Sequence, residues 1–140
     1  MNTLAILILI GGFLHFGVLI ASALVPQVLD WRDELARVSK LTRQLVWTHG
    51  AFIVLTIISF GVRSISNASS LTSGDPLARS IAGLISVFWG ARLVLQYTWF
   101  DARAYLTTPV LRIGYHGLTF VFAYFTAVYG WAALAPAPAI

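Results

Sequence analysis

Histidine occurs three times in the chain, and each copy falls inside a long apolar stretch. His49 and His116 share a local pattern. One reads Arg43-Gln-Leu-Val-Trp47-Thr-His49-Gly50, the other Arg112-Ile-Gly-Tyr115-His116-Gly117. Each has a basic residue, an aromatic, the histidine and a glycine, and then a long apolar run. An imidazole can donate, accept or ligate a metal. Two imidazoles at one depth on different helices suit axial ligation of the iron of a b-type haem, with the glycines clearing room beside the ring. The same groups, with Trp47 and Tyr115, suit a quinone headgroup. Their plainest role is hydrogen bonding between helices.

Arg92 is the second candidate. It sits in the apolar stretch between Arg79 and Asp101, with Gln96 one turn further on the same face. An arginine deep in a membrane span costs at least about 2.5–3.5 kcal/mol on insertion scales, so it faces protein or snorkels. No Asp or Glu lies in any of the apolar stretches, and Asp101 is more than two helical turns from Arg92. A cation without a protein anion invites an anionic ligand such as a propionate, a phosphate or a lipid headgroup. The candidate binding set is therefore His49, His116, Arg92, Gln96, Trp47 and Tyr115. Within it His49 and His116 are the candidate haem ligands, and haem b or a quinone is the candidate cofactor.

Other chemistries find little support. His15 lies about two turns deeper than the other histidines, so a three-histidine metal site is not expected. Neither a Gly-x-Ser-x-Gly elbow nor a Gly-x-x-x-x-Gly-Lys phosphate loop occurs. With no cysteine, disulfides and thiolate-held clusters are excluded. No residue is assigned a catalytic role, and whether the protein is an enzyme stays open.

The elements that carry these residues follow from composition. The chain has 140 residues, 59% of them hydrophobic and 10% charged. Soluble domains average about 25% charged residues, so the chain reads as an integral membrane protein with a single transmembrane domain over 1–140. Four apolar stretches, about 3–25, 44–63, 80–99 and 112–135, are each long enough to cross a ~30 Å hydrocarbon core. Pro136 and Pro138 stop the last one. Runs this long form helices, because lipid offers backbone amides no partner. The first stretch has no Lys or Arg ahead of it, and its apolar run exceeds a signal-peptide core, so it is expected to be a retained span. Short loops make an up-and-down four-helix bundle, and the shared His-Gly pattern suggests two repeated hairpins.

Arg32, Arg37 and Lys40 crowd the first loop, 26–43, and Arg103 lies in the last, 100–112. The positive-inside rule then puts both loops in the cytoplasm and both termini outside, in a bacterial inner membrane. Trp31 to Val38 is expected to lie along the headgroups. The middle loop reads as a plain polar connector. Each span also shows one stripe of polar or small residues. These are Gly12, His15, Leu19 and Ser22; His49, Phe52, Thr56, Ser59 and Arg63; Trp89, Arg92, Gln96 and Trp99; and His116, Thr119, Ala123, Thr126 and Gly130.

The functional expectation is a small accessory or redox subunit. Its cytoplasmic-half cluster would bind a cofactor, a quinone or an anionic lipid, within a larger membrane complex or a homo-oligomer. The alternatives are a small anion or lipid transporter and a structural anchor without chemistry. The positive charges flank spans and form no clustered basic surface, so nucleic acid is not an expected partner.

Overall fold

The computed structural model describes residues 1–137. Pro138, expected to help stop the last span, lies outside them. The elements are α1 (Thr3–Ala23), α2 (Val25–Val28), α3 (Trp31–Ala36), α4 (Lys40–Ser66), α5 (Ala68–Leu71), α6 (Pro76–Thr98) and α7 (Pro109–Leu134). The protein is all-α, with no strand among the described residues. Four helices are long and apolar enough to cross a membrane.

Each long helix opens on a side-chain cap. Asn2 accepts from the Ala5 amide at 2.8 Å, Ser39 from Thr42 at 3.1 Å, Asp75 from Leu77 at 3.1 Å and Thr108 from Leu111 at 3.2 Å. Such caps satisfy amides that have no intrahelical partner. Pro76 and Pro109 stand at the first helical turn, where a missing N–H costs nothing. These signals start α4, α6 and α7 a few residues before the apolar runs do. The helices therefore extend past the stretches that the charges bound.

Small residues set the packing. A Cβ on Gly12 would stand 2.7 Å from Ile65 Cγ1, and one on Gly61 would stand 2.8 Å from Phe16 Cε2. Only glycine lets α1 and α4 approach this closely. Between α6 and α7, the Ser86 hydroxyl donates to the Thr126 carbonyl at 2.8 Å. The two hairpins, α1–α4 and α6–α7, join mainly along α1 and α7. Tyr124 donates to the Leu7 carbonyl at 2.7 Å across that seam. Ser64 of α4 and Tyr129 of α7 share a hydrogen bond of 2.6 Å. The middle loop is more than a connector: α5 packs against α1, with Ala68 and Leu71 buried. Gly74, at φ +78°, then turns the chain into α6.

The core is asymmetric along the bundle. In α4 the buried residues are Ile57, Phe60, Gly61 and Ser64, and in α7 burial begins at Phe122. The first half of each helix, which carries the paired His-Gly pattern, has no buried residue. The packed face of α4 is thus not the stripe through His49, Thr56 and Ser59. α4 is apolar on every side, so its sequence pattern left the rotation about its axis unspecified. The outward surface stays apolar, with Phe13, Phe52, Val87 and Phe120 exposed, as lipid contact requires.

Candidate functional site

Two polar groupings lie within the bundle. The first is built on α6 and α7 near the end of α6. Arg92 and Gln96 are one turn apart on α6; Tyr115, Thr119 and Phe122 follow one face of α7. The two helices run antiparallel, so these faces meet. The Gln96 amide donates to the Thr119 hydroxyl, which in turn donates to the Tyr115 carbonyl at 3.0 Å. Tyr115 donates to the Gln96 carbonyl at 3.3 Å, and Tyr97 to the Thr119 hydroxyl at 3.2 Å. Gln96 is buried, and its side-chain N–H finds an acceptor this way.

Arg92 is not satisfied. Its guanidinium carbon lies 5.0 Å from the Phe100 ring centroid and 5.4 Å from that of Phe122. Two aromatic rings offer a cation partial compensation, about 0.5–2 kcal/mol each. They accept no strong hydrogen bond, and Nη1 is buried without a partner. An orphaned buried donor costs about 1–3 kcal/mol, and more for a charged group. The residue as a whole remains half-buried, so one edge of the guanidinium stays reachable. Guanidinium has five donors and no acceptor. The complement it lacks is an anion or a strong acceptor.

The second grouping surrounds His15, which is fully buried. Its Nδ1–H donates to the Gly11 carbonyl at 2.7 Å, and its Nε2 accepts from the Trp89 indole at 2.9 Å. An indole N–H can only donate, so this pair fixes the Nδ1–H tautomer. The ring stacks on Phe125 at 4.1 Å and meets Phe60, Trp89 and Tyr129 edge-on. Both nitrogens are used, so His15 has none free for a metal. All four long helices contribute to this box, and sequence reasoning did not assign it. The signal was present: Gly11 and Gly12 precede His15, and Trp89 lies on the same α6 stripe as Arg92.

The six expected binding residues divide. Arg92, Gln96 and Tyr115 come together. His116 is exposed, with its ring 5.5 Å from that of its neighbour Tyr115. His49 is exposed on α4, and its Nδ1–H donates to the Leu45 carbonyl at 2.7 Å within its own helix. Trp47 is 50% exposed and pairs with Trp31 at 5.5 Å, away from Arg92. Gly50 and Gly117 have open space where a Cβ would sit. No hydrogen bond or ring contact joins His49 to His116 among the described residues. Nor do those residues form any group of three or more His, Cys, Asp or Glu side chains able to hold a metal ion.

No family model matches this chain, and neither a curated protein nor a solved structure does.

Proposed function

We propose that this protein is a membrane-embedded accessory subunit whose Arg92 receives the acidic headgroup of a membrane lipid at the cytoplasmic side of the bilayer. The observation that carries this reading is the buried, partnerless Nη1 of Arg92 in a bundle whose spans hold no carboxylate. A phosphodiester oxygen at the reachable edge of the guanidinium would neutralise the charge that is otherwise left uncompensated. The orientation rests on the excess of Lys and Arg in the first loop, which puts 26–43 and 100–112 in the cytoplasm and the termini outside a bacterial inner membrane. Such a subunit would act within a larger membrane complex or a homo-oligomer.

A haem between His49 and His116 gains no support from the geometry. Both rings are exposed and lie on the loosely covered halves of α4 and α7. A quinone at Arg92 would need only an acceptor oxygen there, and its presence is an outcome of the same experiment.

The test uses the delipidated full chain in mild detergent. Its thermal unfolding is followed with added phosphatidylglycerol, with a quinone, and with phosphatidylcholine as reference. Phosphatidylglycerol should raise the midpoint of the native chain more than that of Arg92→Gln. Equal stabilisation of both proteins, or stabilisation by the quinone alone, overturns the acidic-lipid reading.

A further inference from the structure

The first loop builds a surface groove whose lining does not include Arg92. After α1 ends, the chain makes the short α2 and α3 and then turns into α4. Between these segments lies a groove of about 600 Å³. Its walls combine apolar surface from Pro26 and Leu35, the rings of Trp31 and Trp47, and the charges of Asp30, Arg32 and Arg43.

Each part has a chemical meaning. The apolar stretch that begins at Thr3 ends at Val28, and Asp30 is the first charged residue of the chain. The groove thus sits where hydrocarbon gives way to headgroups. Two tryptophans in T-shaped contact, 5.5 Å between centroids, are placed at the depth that indole prefers. Arg32 and Arg43 offer guanidinium forks for a phosphate. Asp30 sets the groove apart from a plain anion site. Its carboxylate does not cap α3, although Asp30 holds the N-cap position. Its backbone is left-handed, at φ 53°, a conformation that costs most residues energy but suits Asp and Asn. A groove with two cations, one anion and aromatic faces complements a headgroup with a phosphate and an ammonium.

We propose that this groove binds a glycerophospholipid with a primary-amine headgroup, its phosphate on Arg32 and Arg43 and its ammonium on Asp30. A primary ammonium has three N–H donors for the carboxylate, whereas a quaternary one has none. Phosphatidylethanolamine therefore binds in preference to phosphatidylcholine. The acyl chains leave the groove toward the exposed apolar residues of α4 that follow Arg43, among them Leu45 and Phe52.

The experiment is native mass spectrometry of the delipidated full chain with palmitoyl-oleoyl phosphatidylethanolamine or phosphatidylcholine at equal concentration. The native chain should bind the amine lipid about two- to fivefold better, the value of one partly exposed charged contact. Asp30→Asn keeps the left-handed backbone and should bring the two lipids level. The double change Arg32→Gln and Arg43→Gln should lower binding of both. Identical gel-filtration profiles confirm that the variants remain folded. Equal binding of the two lipids by the native chain overturns the proposal, as does a preference that survives Asp30→Asn. Arg92→Gln should leave the preference unchanged; if it abolishes it, the amine lipid sits at Arg92 and this groove is not its site.

Discussion

The Trp89 indole on α6 donates to Nε2 of His15 on α1 at 2.9 Å, in a part of the bundle where neither group reaches water. Contacts between α1 and α6 are otherwise sparse; the larger seams are α1–α4, α1–α7 and α6–α7. The bond therefore ties together two helices that the chain does not pack extensively. Hydrogen bonds between membrane helices average below about 1 kcal/mol, but an orphaned buried partner costs more.

That asymmetry is measurable in a double-mutant cycle. Trp89→Phe leaves Nε2 of His15 without a donor, and His15→Leu leaves the Trp89 N–H without an acceptor. Each single change should lower unfolding stability by about 1–3 kcal/mol. The double variant should be more stable than the sum implies, with a coupling of about 0.5–2 kcal/mol. Denaturation in mixed micelles reads all four proteins. Strict additivity would mean that the bond contributes nothing beyond packing.

Glycines provide a second, independent comparison. Gly12→Ala drives a methyl toward Ile65 and the α4 backbone, and Gly61→Ala drives one toward Phe16 and the Gly12 carbonyl. Both should destabilise the fold by about 1–3 kcal/mol through overpacking. At Gly50 and Gly117 the added methyl meets open space. There alanine should be neutral or stabilise by up to about 1 kcal/mol, because it favours helix more than glycine does. The same unfolding assay ranks the four variants. Destabilisation at Gly50 or Gly117 would indicate that something covers those positions in the assembled protein.

These contrasts show how much of the structure was legible in the sequence. The number of spans was, because hydrocarbon demands about twenty apolar residues for each crossing. The starts of α4, α6 and α7 were marked by Ser39, Asp75-Pro76 and Thr108-Pro109, but charges alone drew the boundaries short. Depth placed His49, His116, Arg92 and Gln96 in one cluster; in the structure Arg92 and Gln96 meet Tyr115 and Thr119 at the α6–α7 seam, while both histidine rings are exposed. Depth is fixed by residue count, whereas the direction a side chain faces is fixed by packing. α4 is apolar all round and packs through Ile57, Phe60, Gly61 and Ser64. The depth of His15 argues against a three-histidine metal site, but only the packing shows that Gly11 and Trp89 make it a hydrogen-bonded core residue.

Orientation in the membrane can be tested because the chain has no cysteine. A single reporter can be placed at an exposed position without removing native thiols. Ser70→Cys lies in α5, on the middle loop, and Arg37→Cys lies in the first loop. With the orientation proposed above, a membrane-impermeant maleimide should label Ser70→Cys in intact bacterial cells and reach Arg37→Cys only after lysis. The reverse pattern would place the Arg-rich loop outside and move the Arg92 site to the opposite leaflet.

Arg92 itself gives the sharpest expectation, because its two roles predict opposite signs. Without ligand, the guanidinium is a desolvated cation with an orphaned Nη1 between Phe100 and Phe122. Removing a buried charge removes its desolvation penalty, and apolar replacements of whole buried ion pairs are often neutral or stabilising, by up to about 4 kcal/mol. Arg92→Met should therefore match or exceed the native chain in delipidated detergent. In phosphatidylglycerol-rich bilayers the native chain gains ligand stabilisation, about 2.7 kcal/mol at a hundredfold excess over Kd. The variant does not, so the order of stabilities should reverse. The two proteins are compared by unfolding in both media. A variant less stable in both would make Arg92 a structural residue whose aromatic contacts suffice, and would remove the basis for a headgroup at this position.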